Sequence, residues 1–449
     1  GMRLVGPNCI GSVGGAHRVM ATFSPVFSSE STPLPEGNIA LVSQSGALGF
    51  GALSLGLERG VPIGIAITTG NEADVTATEV AAQLAQDPEV DAVVMYVESL
   101  GNMDQLIRVA GSKPIAILKA GRSVAGAAAA ASHTGALASP DKVVSAVLAQ
   151  NRIARANNID ELLDIAALFA SETKIAGPAV GIVTTSGGSG ILAVDALESE
   201  GLALAELGTE TVTALEEIVP SYGNATNPVD VTAAVMAESG LFERCVNRLS
   251  TDPSVNAIVA CFAVLVGKDV DRIAQALGAV RESTGLPVVA VRTGAAALAP
   301  EGARVLKEAG IPVYPTPERA VAALRALVTI NSPERKDLAP STHPRIPVPQ
   351  PGASEKDLKE LLAHAGLPIP ESFVVTSGSD AVGAVGAVGG RAVFKAVVPG
   401  LLHKSDAGGV VLDVNAEKAL DTFARLQALG GDVLVERFVP GGVEVLVGV

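Results

Sequence analysis

The residues best suited to chemistry in this chain are a histidine, an acid and three turns of small residues. His133 follows an alanine run in AGAAAAASHTGALAS (125–139), ahead of an expected new helix. A neutral imidazole is a good nucleophile near pH 7, and the unpaired N–H groups at a helix start, with the positive end of its dipole, would stabilise an anion attached to or near it. Glu98 closes the apolar run DAVVMYVES (91–99). Bonded to one ring nitrogen of His133 it would fix the tautomer and leave the other nitrogen free to attack; a solvated acid at a strand end is the alternative. SQSGALG (43–49), SHTGALA (132–138) and TSGGSG (185–190) each place backbone donors before a helix. They read as anion nests or as tight packing, and two such helix starts at one site would clamp a covalently bound phosphate. Lys395, in the apolar run AVFKAVV, precedes the glycine-containing loop LLHKSDAGGV with His403; it reads either as a lysine solvated at a strand edge or as one placed to bind a nucleotide phosphate. His17, His343 and His364 sit in linker-like or helix-surface contexts and receive no role.

The elements that must position these groups alternate strand and helix. NIALVSQSGALG (38–49) reads as strand, turn and helix; further strands are expected over 61–68, 91–99 and 113–121, and helices over 75–85 and 159–171. In such doubly wound sheets ligands bind beyond the carboxyl ends of the strands, where Ser43, Ser45, Asn71, Glu98 and His133 fall. A second copy follows. VGIVTTSGGSGILAVDAL (180–197) matches the first strand-turn-helix, DPSVNAIVACF echoes DPEVDAVVMYV, and LPVVAVRTG echoes KPIAILKAG. NPVDVT (227–232) is taken to echo NEADVT (71–76). Four landmarks in one order imply two related domains. The second lacks a histidine after its RTG turn and has Ala263 where the first has Glu98.

The fold class is therefore α/β: two related doubly wound, flavodoxin-like parallel-sheet domains, then a proline-rich linker and a third α/β domain. Their expected bounds are 1–35 for a domain remnant and connector, 36–176, 177–330, 331–352 for the linker, and 353–449. The net charge of −15 excludes nucleic acid and anionic membrane as partners unless a local basic stripe exists, and none is found. No run is long enough to span a bilayer, and no signal peptide opens the chain. Three scattered cysteines, Cys9, Cys245 and Cys261, favour a reducing compartment, with cytoplasm as the expectation. With no tryptophan and 3% aromatic residues, Val, Ile, Leu and Ala must fill the cores, which suits parallel sheets covered on both faces.

RLVGPNCIG, NIALVSQSGALG, TTGNEADVT, SHTGALA, TTSGGSG with NPVDVT, and VFKAVVPGLLHKSDAGGV with VLVERFVPGGVE occur in this order over essentially the whole length. In them the chain resembles the NDP-forming acyl-CoA synthetases, the ADP-forming acetyl-CoA synthetase branch of the succinyl-CoA synthetase superfamily. The resemblance implies succinyl-CoA-ligase-like domains followed by part of an ATP-grasp domain, and the reaction acid + CoA + ATP ⇌ acyl-CoA + ADP + phosphate. It also implies an acyl phosphate and a phosphohistidine, with His133 as nucleophile and Glu98 as orienting acid. His403 matches a second, shuttling histidine. Phosphate would be held by Ser43, Gln44, Ser45, Gly46 and Gly135 and by Ser186, Gly187, Gly188, Ser189 and Gly190. The CoA thioester end would lie against Gly6, Pro7, Asn8 and Cys9, and the nucleotide against Lys395 and Glu436. The implied ligands are CoA, ATP or ADP, and Mg²⁺ with ligands expected outside this chain; no protein metal site is expected. A carboxylic acid or acyl-CoA and phosphate would be the remaining partners, in a homo-oligomer or with complementary domains. Because the CoA domain and the ATP-grasp domain both look partial, the segment alone is expected to be incomplete. The rival reading is a ligand-sensing part of a protein lysine acyltransferase.

Overall fold

A computed structural model of the protein describes residues 2–28, 34–134, 140–171, 174–263, 265–295, 297, 299–333, 355–398, 405 and 407–441, with the side chains of 130–134 outside the description. The strands are β1 (Gly11–Gly14), β2 (Val19–Thr22), β3 (Ile39–Ser43), β4 (Ile63–Thr68), β5 (Ala92–Val97), β6 (Ile115–Lys119) and β7 (Ala154–Ala156) in a first sheet. A second sheet holds β8 (Ala179–Thr184), β9 (Ala203–Leu204), β10 (Val229–Asp230), β11 (Ala257–Ala263), β12 (Val288–Thr293) and β13 (Val313–Tyr314). A third holds β14 (Ser372–Val375), β15 (Ala392–Val397), β16 (Val410–Val414) and β17 (Asp432–Arg437).

Apolar runs make β3, β5 and β6 interior strands: every residue of IALVS in β3 and of IAILK in β6 is buried, as parallel strands covered by helices on both faces require. The parallel part of the first sheet runs β4-β3-β5-β6-β7, and the second runs β10-β8-β11-β12-β13. Counted from the first long strand of each sheet, with the two-residue β9 beside β8 set aside, both orders are 2-1-3-4-5, the flavodoxin-like winding. Its switch point lies between the first and third strands, so the crevice there opens beside the β3 turn in one copy and the β8 turn in the other.

One expectation changes. Residues 11–22, taken as part of a remnant and connector, form the antiparallel hairpin β1-β2, and β1 pairs antiparallel with β4. The hairpin extends the first sheet at its edge because Gly11 and Gly15 let the main chain pass where a Cβ would meet Ala21 O at 2.0 Å and Pro35 O at 1.9 Å.

Residues 1–335 form one compact unit and 336–449 another. Within the first, the helices Ile159–Phe169, Gly187–Ser199 and Pro317–Ile330 share one core with both sheets, including Leu168, Phe169, Leu197, Leu324 and Leu327. Each such fully buried side chain contributes about 1.5–3 kcal/mol. Across the same contact Arg319 forms a bidentate pair with Asp164 at 2.5 and 2.7 Å, and the Tyr314 hydroxyl donates to the Asp164 carbonyl at 3.1 Å. In the second unit the antiparallel sheet β14-β17-β15-β16 buries Phe394, Val433 and Val435 with Val385, Phe423 and Leu426 of the helices Gly378–Ala387 and Ala416–Gln427.

Candidate functional site

The turn after β3 is built by its own side chains. Ser43, fully buried, donates its hydroxyl to the Ser45 carbonyl at 2.6 Å, and the Ser45 hydroxyl accepts the Leu48 N–H at 3.3 Å as N-cap of the Gly46–Arg59 helix. Gly46 and Gly49 allow the helix to start this close to the sheet: a Cβ at Gly46 would stand 2.6 Å from Ile10, and one at Gly49 2.7 Å from Ser43. No acidic residue lies in the helix's own first turn.

A cleft of about 740 Å³ opens over this turn, lined among the described residues by Asn8, Ile10, Phe23, Gln44, Ser45, Gly46, Ala47, Gly70, Asn71, Glu72, Glu98 and Ser99. Gln44 is central to it. Its Oε1 accepts the N–H groups of Glu98 (2.6 Å) and Ser99 (3.1 Å), and its Nε2 donates to Ser99 O and Glu72 Oε2, both at 3.0 Å. Gln44, expected at a phosphate, thus has both ends of its amide engaged by protein groups. Glu98 is half-buried, one residue beyond β5. The segment carrying Gly6, Pro7, Asn8 and Cys9 lies against the loop after β4: Asn71 N–H donates to Pro7 O and Ala73 N–H to Gly6 O, both at 2.9 Å, and Asn8 Nδ2 donates to Asn71 Oδ1 at 3.2 Å. The structure therefore brings Asn8, Gln44, Ser45, Gly46 and Glu98 to one cleft.

His133 is placed differently from expectation. Its backbone lies in the last turn of the Val124–Thr134 helix rather than in a loop, because the preceding alanines are strong helix formers and carry the helix through Ser132, His133 and Thr134; the expected new helix follows at Asp141–Gln150. Gly135 and His403 lie outside the described residues. The strand before His133 ends in Lys119, 2% exposed, whose pKa is lowered by burial and whose ammonium donates to Ala120 O at 2.6 Å. The register puts Arg292 of β12 at the same place, also buried and donating to Ala295 O at 3.1 Å, so a buried cation under this turn belongs to the shared scaffold.

The sister turn repeats the geometry with other residues. Thr184 donates to Ser186 O at 2.8 Å, and Thr185 N–H meets Cys261 O as Gln44 N–H meets Tyr96 O, each at 3.0 Å. Ala263 N–H donates to the Thr185 hydroxyl at 3.4 Å. Ser186, Gly187, Gly188, Ser189 and Gly190 do not line the cleft of the first copy, among its described lining residues. Asp230 Oδ2 stands 3.0 Å from where a Gly187 Cβ would be, so a carboxylate already faces this helix start. The NPVDVT echo of NEADVT does not hold in space. Asp230 pairs with Thr184 as Thr68 pairs with Ser43, so Asn227 falls within the sheet edge, bonded to Ile182 N, Val180 O and Ala205 O, whereas Asn71 lies three residues past its strand.

In the second unit Lys395, on the inner strand β15, has its ammonium 2.8 Å from Glu355 Oε1 and 3.6 Å from Glu436 Oε1. Lys359, half-buried with its pKa lowered by burial, pairs with both glutamates. The Lys395 ammonium thus already has a carboxylate partner in Glu355. Glu436 faces the two lysines; Glu355 and Lys359 were not singled out in the sequence, where an E-x-x-x-K spacing on a helix gives no hint of a partner strand. Among the described residues no group of three or more His, Cys, Asp or Glu is arranged to hold a metal ion, and no helix is long and apolar enough to cross a membrane.

Family models match along the chain: a succinyl-CoA ligase like flavodoxin domain over residues 36–169, a Ligase-CoA domain over 180–331 and an ATP-grasp domain over 352–449. The chain is 32% identical to acetate–CoA ligase [ADP-forming] I of Archaeoglobus fulgidus, over all of this chain and 67% of that one. It is 34% identical to the alpha subunit of acetate–CoA ligase [ADP-forming] II of Pyrococcus furiosus, over 73% of this chain and 71% of that one. Among solved structures, a dinucleotide-forming acetyl-coenzyme A synthetase 1 of Ca. Korarchaeum cryptofilum in complex with phosphate and ADP superposes with a TM-score of 0.65 at 27% identity, covering 73% of this chain and 71% of that one. The chain spans about two-thirds of the length of the full-length relative it matches.

Proposed function

The chain belongs to the ADP-forming acyl-CoA ligases of the succinyl-CoA ligase superfamily, and on that premise we propose a phosphohistidine relay with His133 as the carrier. The relatives are ligases, which favours catalysis over the ligand-sensing reading.

The reaction divides into four balanced transfers. A phosphate oxygen attacks the thioester carbonyl, the C–S bond breaks, and CoA leaves with an acyl phosphate formed. A ring nitrogen of His133 attacks the phosphorus, the P–O bond to the acyl group breaks, and the carboxylate leaves. A ring nitrogen of His403 attacks the phosphorus, breaking the P–N bond to His133, and a terminal oxygen of ADP then attacks, breaking the P–N bond to His403 and forming ATP. Glu98 holds the imidazole as the tautomer whose free nitrogen attacks and supports the cationic ring afterwards. Ser45, Gly46 and the first N–H groups of the Gly46–Arg59 helix receive the phosphoryl oxygens. The Gly6 to Cys9 segment takes the thioester end, and Lys395 the nucleotide phosphates once Glu355 yields its place. Mg²⁺ would neutralise charge on the nucleotide phosphates. Three free cysteines fit a reducing compartment, and the subunit character of the P. furiosus relative supports work in an assembly.

One observation supports this reading above the others. The two flavodoxin-like copies share strand order, turn bonds and the buried cation, yet only the copy carrying His133 has an acid at the end of its third strand, Glu98, where the other has Ala263. With the complementary domains supplied, acetyl-CoA and phosphate should yield acetyl phosphate and free CoA thiol in wild-type protein and in His133→Ala alike, while only wild type passes the phosphoryl group on to ADP. Equal ATP formation by His133→Ala would end the proposal.

A further inference from the structure

Glu72 adopts φ +53°, a left-handed conformation that a glutamate keeps only where its surroundings impose it. Its carboxylate is what ties it there. Oε1 accepts the Thr69 hydroxyl and the Ala77 N–H, each at 2.8 Å, and Oε2 accepts Gln44 Nε2 at 3.0 Å. Gln44 then holds the main chain of Glu98 and Ser99 through the two N–H groups on its Oε1 and through Ser99 O on its Nε2. An amide in this place has a direction. Its oxygen must face the two N–H donors, and its NH₂ must face the carbonyl and the carboxylate. With a carboxylate at 72, an acceptor on both oxygens, the flipped amide would oppose acceptor to acceptor on one side and donor to donor on the other.

We infer that Glu72 is a positioning residue for the acid end of β5, acting on Glu98 through Gln44 without touching the reacting groups. Its consequence for phosphoryl transfer rests on the role proposed above for Glu98; the hydrogen-bonded chain itself does not. The sister copy supports the coupling of the two features. Counting on from the matched strand registers, Ala234 stands at the position of Glu72 and Thr185 at that of Gln44, and the same copy has Ala263 for Glu98. Relay and acid are present together or absent together.

A reciprocal swap tests this. In Glu72→Gln, the new side chain spends its oxygen on Thr69 and Ala77 and turns an NH₂ toward the NH₂ of Gln44. In Gln44→Glu, two carboxylates face each other. In the double variant the NH₂ at 72 donates to the carboxylate at 44, whose other oxygen accepts from Glu98 and Ser99; the bonds at position 72 and at the two amides return, and only the bond to Ser99 O is lost. Hydrogen exchange at the Glu98 and Ser99 amides should accelerate about tenfold or more in each single variant and return to within about threefold of wild type in the double. The initial rate of ³²P transfer from labelled acetyl phosphate to the protein should follow the same pattern. Recovery in the double variant remains diagnostic even where one single variant folds poorly. Wild-type exchange in both single variants, no recovery in the double, or altered exchange with unaltered transfer would each overturn the inference. If wild-type protein takes up no label while exchange follows the pattern, the relay through His133 fails and the positioning chain stands.

Discussion

Gly70→Ala separates the CoA-side segment from the rest of the site. Gly70 has φ +61°, and an added Cβ would stand 2.2 Å from Pro7 O and 2.7 Å from the carbonyl carbon of Asn8. Both are main-chain atoms, so no rotamer change relieves the contact; the segment must lift. Three hydrogen bonds between main-chain groups tie it down, Val75 N–H to Leu4 O, Ala73 N–H to Gly6 O and Asn71 N–H to Pro7 O, beside side-chain bonds from Leu4 N–H to Asp74 and from Asn8 Nδ2 to Asn71. Losing two or three of them costs about 1 kcal/mol each, and the left-handed backbone adds about 1 kcal/mol for a residue with a Cβ. The sum, about 3–4 kcal/mol, shifts attachment of the segment by roughly two to three orders of magnitude. The sheet interior is untouched, so the melting temperature should move by only a few degrees. Exchange at the amides of residues 71, 73 and 75 should speed up accordingly. Acetyl phosphate formation from acetyl-CoA and phosphate should fall about a hundredfold, while ³²P transfer from acetyl phosphate to the protein stays within about threefold. Wild-type exchange at those amides, or an equal loss in both reactions, would refute the assignment of this segment to the thioester.

Arg319→Ala strands the buried Asp164 carboxylate, whose pKa burial already pushes up, and should cost about 3 kcal/mol in urea unfolding, more than the double exchange Arg319→Met with Asp164→Leu; an equal or larger loss in the double contradicts this. Burial alone would raise the pKa of Asp252, but hydrogen bonds from Thr211, Ser254 and the Gly208 N–H outweigh it and hold it at about 2. A folded-state pKa below the unfolded one stabilises fully above about pH 4 and is lost as pH falls toward 2, so Asp252→Asn should flatten that acid limb of the unfolding free energy and cost about 1–2 kcal/mol at pH 7. Parallel limbs for the two proteins would show the reasoning to be wrong. Lys395→Met should weaken ADP binding at least tenfold by calorimetry, whereas Glu355→Gln should tighten it severalfold by releasing the ammonium; weaker binding in Glu355→Gln would mean that the carboxylate supports the nucleotide site.

The winding of both sheets could be read from the sequence because buried parallel strands such as IALVS and AIVACF are short apolar runs with a glycine turn behind them, and a doubled order of such runs leaves few topologies. The β1-β2 hairpin could not: GSVG and VMAT are four residues each, and their place at a sheet edge depends on main-chain contacts at Gly11 and Gly15. Side-chain types alone suggested His133 and Glu98. The helical setting of His133 was masked by the glycine that follows it, and the register of Asn227 by a chance likeness of six letters. Glu72 carried no signal, since its importance lies in a backbone conformation and in the direction of a neighbour's amide.

The phosphoryl group itself is the most direct test of the relay. Protein incubated with acetyl phosphate, digested under alkaline conditions and sequenced by mass spectrometry should carry a phosphoryl group on the peptide spanning His133, stable to base and lost in mild acid. Its yield should fall at least tenfold in Glu98→Gln. A phosphoryl group found only on another residue, or full yield in His133→Ala, would contradict the account.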